Sequence, residues 1–151
     1  MNEVGADFAI NYKEKAFEEE VQRITEGKGV GIIIDCVGGS YFQQNLASLS
    51  IEGRLVIIGW LSGTQVPHCD LSMILRKRIR VEGSTLRARD VAYKALLAEN
   101  LKTFCLPRFL DGRMKVFIDR TFSVSDIQKA HQYMEQDLSK GKIILDHFDT
   151  M

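Results

Sequence analysis

Residues 29–63 read GVGIIIDCVGGSYFQQNLASLSIEGRLVIIGWLSG, two apolar runs, each closed by glycine, with one helical repeat between them. The runs, residues 31–36 and 54–58, are too continuous for strands with one wet face and fit strands of a parallel sheet covered by helices on both faces. They end at Gly38–Gly39 and at Gly59, where the strand ends of an open parallel sheet leave room for a ligand. No GxGxxG follows a strand anywhere upstream. The nearest approach, Gly27–Lys28–Gly29–Val30–Gly31, follows a helical segment and precedes a strand. A phosphate-cradling loop needs the opposite order, so this cluster reads as a turn.

The remaining elements follow from period and punctuation. Residues 8–12 form a short strand candidate. Residues 15–26 form a helix with Phe17, Val21 and Ile24 on one face and Gly27 as its C′ residue. Ser40 is the expected N-cap of a helix whose stripe is Phe42, Leu46 and Leu49. A short helix lies around residues 71–76. In residues 78–84, Arg78, Arg80 and Glu82 alternate with Ile79 and Val81, the pattern of a strand at a sheet edge. A helix over residues 90–104 ends near Pro107, which lacks a backbone donor. A turn at Asp111–Gly112 leads to a strand over 115–122, a helix over 123–134 capped by Ser125, and a last strand over 143–145. The alternation of strand and helix stops after Ser84, so the elements from residue 111 onward need not share the first sheet. Residues 147–151 are expected to fray.

Twenty basic residues balance twenty acidic ones, which argues against nucleic acid or an anionic membrane as a partner. The run Arg76–Lys77–Arg78 with Arg80 reads as a solvated surface or an interface edge. No stretch of eighteen apolar residues occurs, and the first residues lack the basic and apolar regions of a signal peptide, so a cytoplasmic location is the expectation. Cys36, Cys69 and Cys105 are odd in number and widely spaced, against both a disulfide framework and a CxxC zinc site. Cys36 reads as a buried, inert thiol. His68, His131 and His147 share no ligand spacing, and no metal site is expected.

Six phrases, GADFAINYKE, IIIDCVGGSYFQQNL, GRLVIIG, VEGSTLRARD, GRMKVFIDRTFSVSDIQKAHQYME and KGKIIL, occur in one order along nearly the whole chain. Together they resemble the medium-chain dehydrogenase/reductase superfamily, and within it the zinc-free quinone oxidoreductases of the zeta-crystallin and p53-inducible types. The resemblance implies an α/β fold: a partial Rossmann-type parallel sheet over residues 1–110, then residues 111–151 returning to a GroES-like catalytic domain. It implies a sequence that starts just before the family's third Rossmann strand, with Met1 to Glu3 at the end of a helix. The first βαβ unit, its phosphate loop and the N-terminal catalytic domain would then be missing.

The resemblance also assigns positions. Tyr12 matches a tyrosine that lies against an adenosine 2′-phosphate, and a phenol beside the Lys13 ammonium suits that anion. A half-buried aromatic at a strand end is the other reading of Tyr12. Gly38 and Gly39 match backbone that passes close to the cofactor ribose, although a tight strand-to-helix turn would also require them. Ile58, Gly59 and Trp60 match the segment that meets the nicotinamide carboxamide. Gly141 and Lys142 match a pair near the cofactor phosphates. The edge strand 78–84 matches a strand that joins two copies into a homodimer. NADPH is the implied cofactor and a quinone or conjugated carbonyl the implied substrate, with no residue here in a catalytic acid, base or nucleophile role. The competing expectation is a non-catalytic homologue, a nucleotide-binding remnant or dimerisation partner.

Overall fold

A computed structural model describes residues 5–146. The expectations for Met1 to Glu3 and for residues 147–151 lie outside them. The chain forms two compact units, one through Lys94 and one from Ala95.

The first unit is built on a three-stranded parallel sheet of order β1-β2-β3, with β1 at Val30–Asp35, β2 at Leu49–Ile57 and β3 at Arg80–Gly83. Helices α1 (Phe17–Ile24), α2 (Phe42–Ser48) and α3 (Ser72–Lys77) alternate with the strands, as parallel connections require. Leu46, Leu49, Leu55 and Ile79 are buried in one cluster, and Ile33, Phe42, Ile57, Met73 and Ile74 pack on it. Each fully buried leucine contributes roughly 1.5–3 kcal/mol relative to exposure. The core is therefore the α2 stripe read from the sequence, closed by α3 against β2. Ile32 and Ile34 alternate to the other face and are exposed, so the apolar cover expected on both faces is seen on one.

Several local expectations are corrected. Residues 8–12 are not a strand, because Asn11 turns the chain: its Oδ1 accepts from the Lys13 N–H at 3.1 Å and its C=O accepts from the Glu14 N–H at 3.0 Å. This is the local side-chain bonding that competes with a ladder. Glu26, at φ 53°, occupies C′ of α1, and Gly27 follows as C″, donating to the Gln22 C=O at 2.8 Å. The pair of bonds, with Glu26 N–H on Arg23 C=O, is a Schellman closure one residue earlier than the sequence suggests. Ser40 sits in a 3-10 turn, Gly39–Tyr41, and caps nothing with its side chain. Arg78 adopts the left-handed conformation that ends α3, which shortens the expected edge strand to Arg80–Gly83. Cys36 is exposed, since it lies past the last residue of β1 rather than under a helix.

Helix α4 (Val91–Leu110) crosses the boundary between the units and has no buried residue. The Asp90 carboxylate accepts from the Tyr93 N–H at 2.7 Å and caps it. Pro107 lies inside the helix rather than at its end. It sits in the final turn, where only one ladder donor is lost, and the Arg108 guanidinium donates to the Phe104 C=O at 2.6 Å nearby.

In the second unit, β4 (Ile118–Ser123) and β5 (Lys142–Asp146) pair in parallel, joined through α5 (Ile127–Glu135). Ala130 of α5 is buried. Ser125 does not cap α5: Ser123 accepts from the Ser125 N–H at 3.3 Å and caps the 3-10 turn Val124–Asp126 that leads into the helix, whose own N-cap, Asp126, makes no side-chain cap bond. The Tyr133 hydroxyl donates to Asp119 at 2.9 Å, and the Arg120 guanidinium lies 4.5 Å from the ring centroid. The Asp119 carboxylate at the other end of that bond raises the Tyr133 phenol above its ordinary range. Among the described residues no helix is long and apolar enough to cross a membrane.

Candidate functional site

The strand ends of the first unit are laced together by main-chain bonds. Ile58 N–H donates to Asp35 C=O at 2.7 Å, Leu61 to Cys36 at 3.1 Å, Ser62 to Val37 at 2.8 Å, and Gly39 to Gly63 at 2.9 Å. The turn after β1 is thereby clasped by the turn after β2. Asp35, 5% exposed, organises the clasp from below: its two carboxylate oxygens accept from the Val37 N–H at 2.7 Å and the Gly38 N–H at 3.0 Å. Both oxygens of this carboxylate are thus engaged by the turn it holds.

The sequence offered two reasons for Gly38 and Gly39, and the structure supplies contacts for one of them. Gly38 has φ 89° and ψ −130°, a region open almost only to glycine. A Cβ there would stand 2.9 Å from both the Gly63 oxygen and the Trp60 Cα. At Gly39 a Cβ would collide with the Gln65 carbonyl. The space beside both glycines is occupied by the chain's own 60–65 loop. Gly59 likewise admits the Cys36 carbonyl, 3.0 Å from where its Cβ would lie. Trp60, 63% exposed, and Ile58, 54% exposed, lie along this rim.

Tyr12 reaches the same end of the unit through Tyr41, which follows the glycine turn. The two rings meet edge to face with centroids 6.4 Å apart, and the Phe17 ring lies 5.0 Å from that of Tyr41. Tyr12, Lys13, Lys15, Tyr41 and Gln44 line an open cavity of about 280 Å³, with Glu14 also on its wall. Two phenols, an amide and two ammonium groups make this a donor-rich recess, suited to an anion such as a phosphomonoester. Lys15 is also paired with Glu20 at 3.0 Å. Tyr41 and Gln44 were not singled out from the sequence; the signal that would have found Tyr41 is its place two residues after Gly39, in the first turn leaving β1.

Gly141 and Lys142 belong to the second unit. Lys142 opens β5 opposite Ile118, and its N–H donates to the Phe117 C=O at 2.7 Å. A Cβ on Gly141 would stand 2.5 Å from that same carbonyl, so this glycine is required by the close approach of β5 to β4. Among the described residues no three His, Cys, Asp or Glu side chains come together as a metal site.

Comparison with known proteins is consistent with this geometry. The family model described as zinc-binding dehydrogenase matches residues 1–101. A quinone oxidoreductase-like protein 2 homolog of Nematostella vectensis is 29% identical over 147 residues, which are 96% of this chain and 40% of that protein. A quinone oxidoreductase structure from Pseudomonas syringae pv. Tomato superposes with a TM-score of 0.69 at 25% identity, covering 97% of this chain and 44% of that one. A mycobacterial protein solved in complex with NADPH gives 0.67 at 25% identity, with 95% and 45% covered. The chain thus spans about two fifths of the length of the curated relatives it matches. The parallel sheet, the clasped glycine turns and the match over two thirds of the residues place the chain in the zinc-binding dehydrogenase family, among the quinone oxidoreductase-like members of the medium-chain dehydrogenase/reductase superfamily.

Proposed function

We propose that the chain is part of an NADPH-dependent quinone oxidoreductase that passes hydride to a quinone or another conjugated carbonyl in the cytoplasm. The observation that carries this reading is the convergence of the glycine-closed ends of β1 and β2, with exposed Trp60 on one side and the donor-rich recess of Tyr12, Lys13 and Tyr41 on the other. Open parallel sheets bind ligands at this end.

Tyr12 and Lys13 would donate to the adenosine 2′-phosphate, and the turn that Gly38 and Gly39 shape, itself packed under the 60–65 loop, would set the level of the backbone beside the ribose. The Ile58–Gly59–Trp60 main chain would hold the nicotinamide carboxamide, with the Trp60 indole shielding one face from water. When bound, NADPH supplies the hydride, and the protein's part is alignment and exclusion of water. Mixing the chain with NADPH and a small ortho-quinone should consume reduced-nicotinamide absorbance above a protein-free control. No consumption would rule out catalysis by this chain alone.

A second reading, a non-catalytic dimerisation partner, is favoured by one specific observation. All four residues of β3 are exposed, and β3 is the last strand of its sheet. The Ser84 N–H points to Ile57 C=O of β2 at 2.9 Å. By alternation, the N–H groups of Glu82 and Arg80 face β2 and those of Val81 and Gly83 face outward. Two copies pairing through this edge would satisfy those donors and remove an aggregation-prone border. Sedimentation should then show a homodimer that Val81→Pro converts to monomer, because proline deletes an outward donor. A monomer in the unmodified chain would reject this interface.

A further inference from the structure

The loop after β3, residues 84–90, lies at the same end of the sheet as the candidate site, because the Ser84 N–H is bonded to Ile57 C=O one residue before Ile58. Nothing in the cofactor reading uses it. It carries Arg87 and Arg89 and is followed by Lys94 on the first turns of α4, with Asp90 the one carboxylate among them.

The loop is braced from within. Arg89 N–H donates to Leu86 C=O at 3.1 Å, closing a turn with Arg87 at its tip. The Arg89 guanidinium bonds the Thr85 C=O at 3.3 Å and lies 4.7 Å from the Tyr93 ring centroid. Lys94 Nζ donates to the Arg87 C=O at 2.9 Å. Asp90 is engaged by the Tyr93 N–H. These bonds fix the main chain at Arg87 and occupy its neighbours, while the Arg87 guanidinium projects exposed and has no hydrogen-bond or ion-pair partner among the described residues. A fork of donors on a pinned turn is the arrangement that recognises a carboxylate or sulfonate bidentately.

The position decides which ligand carries that anion. In the order β1-β2-β3, the Tyr12–Tyr41 recess is associated with the β1 side and Trp60 with the end of β2. The loop after β3 therefore lies beyond the nicotinamide position, on the side away from the adenosine. Exposed Leu86 stands on it, and exposed Trp60 and Leu61 stand on the turn after β2, which gives apolar surface for a flat ring. We propose that Arg87 is a specificity-determining residue for the acceptor, and that the preferred acceptor is a planar conjugated carbonyl bearing a carboxylate or sulfonate. The assignment rests on placing the nicotinamide at the end of β2.

Trp60 is the only tryptophan, so its emission reports a ring bound beside it without any cofactor present. The full chain is titrated with 9,10-anthraquinone-2-sulfonate and with the uncharged 2-hydroxymethyl analogue. The sulfonate should quench Trp60 with about tenfold higher affinity, and added salt should reduce the preference. Arg87→Gln should remove the preference, with the uncharged analogue binding as before, and Arg87→Lys should retain part of it. Equal affinity for the two quinones, absence of quenching by either, or an unchanged preference in Arg87→Gln would overturn the assignment. Displacement of the sulfonate by 2′,5′-ADP would also overturn it, by giving the anion site to the cofactor. Because no NADPH is used, a chain that fails the reductase assay still answers this question.

Discussion

Gly38→Ala is expected to lower the stability of the first unit by at least about 3 kcal/mol, the sum of a forbidden backbone region and a steric overlap with main chain. The added methyl would meet the Gly63 oxygen and the Trp60 Cα at 2.9 Å, and neither belongs to a flexible side-chain tip that can move aside. Gly39→Ala should be comparably damaging through the Gln65 carbonyl. Gly31→Ala is the control: a Cβ there has nothing within 4 Å, and its effect should stay within about 1 kcal/mol. Urea midpoints followed by Trp60 fluorescence measure all three. Equal midpoints for the Gly38 and Gly31 variants would contradict the clasp described at the strand ends. The result bears on function because the clasp fixes Ile58, Gly59 and Trp60 relative to the turn after β1.

Lys77→Met should cost about 2 kcal/mol. The Lys77 ammonium donates to the carbonyls of Leu46 at 3.1 Å, Ala47 at 2.8 Å and Leu49 at 2.7 Å. Leu46 and Ala47 lie in the last turn of α2, where carbonyls have no helical partner, and a cation there also opposes the negative end of the helix. Desolvation holds the Lys77 ammonium below the ordinary lysine range, so part of the gain is offset by burial. Methionine keeps the length of the stem and deletes the donors, leaving Ala47 with only the Gln22 amide at 2.9 Å. A midpoint within about 0.5 kcal/mol of the unmodified chain would show that water replaces the ammonium at no cost.

These two residues mark what a linear reading reaches. The alternation of apolar runs and glycines around β1, α2 and β2 was legible because a 3.6-residue stripe is imposed by burial, and Leu46, Leu49 and Leu55 are among the buried residues, whereas the continuous run of β1 is covered on one face only, with Ile32 and Ile34 exposed. Lys77 was grouped with a basic surface run, because its partners lie about thirty residues away and only the fold brings them to its ammonium. Asn11 defeated the strand expected at residues 8–12 through a short-range bond, a competition that propensity does not resolve. For Gly38 and Gly39 the sequence left a tight turn and close cofactor approach both open; the contacts that demand them come from the 60–65 loop. The recess beside Tyr12 was half legible, since Tyr41 reaches it only after β1 and α2 are placed. Arg87 was visible only as part of the phrase VEGSTLRARD, and its exposure on a braced turn required the bonds of Arg89 and Lys94.

The central claim is that a reduced nicotinamide lies at the end of β2, against Trp60. Indole emission overlaps the absorption of reduced nicotinamide, and the chain has a single indole, so energy transfer from Trp60 to NADPH tests the claim directly. Titrating the chain with NADPH while exciting the indole should quench Trp60 and raise nicotinamide emission with one saturating curve, and Tyr12→Phe should weaken it by about 1 kcal/mol. Unchanged Trp60 emission at saturating NADPH, or quenching with no sensitised nicotinamide emission, would contradict it.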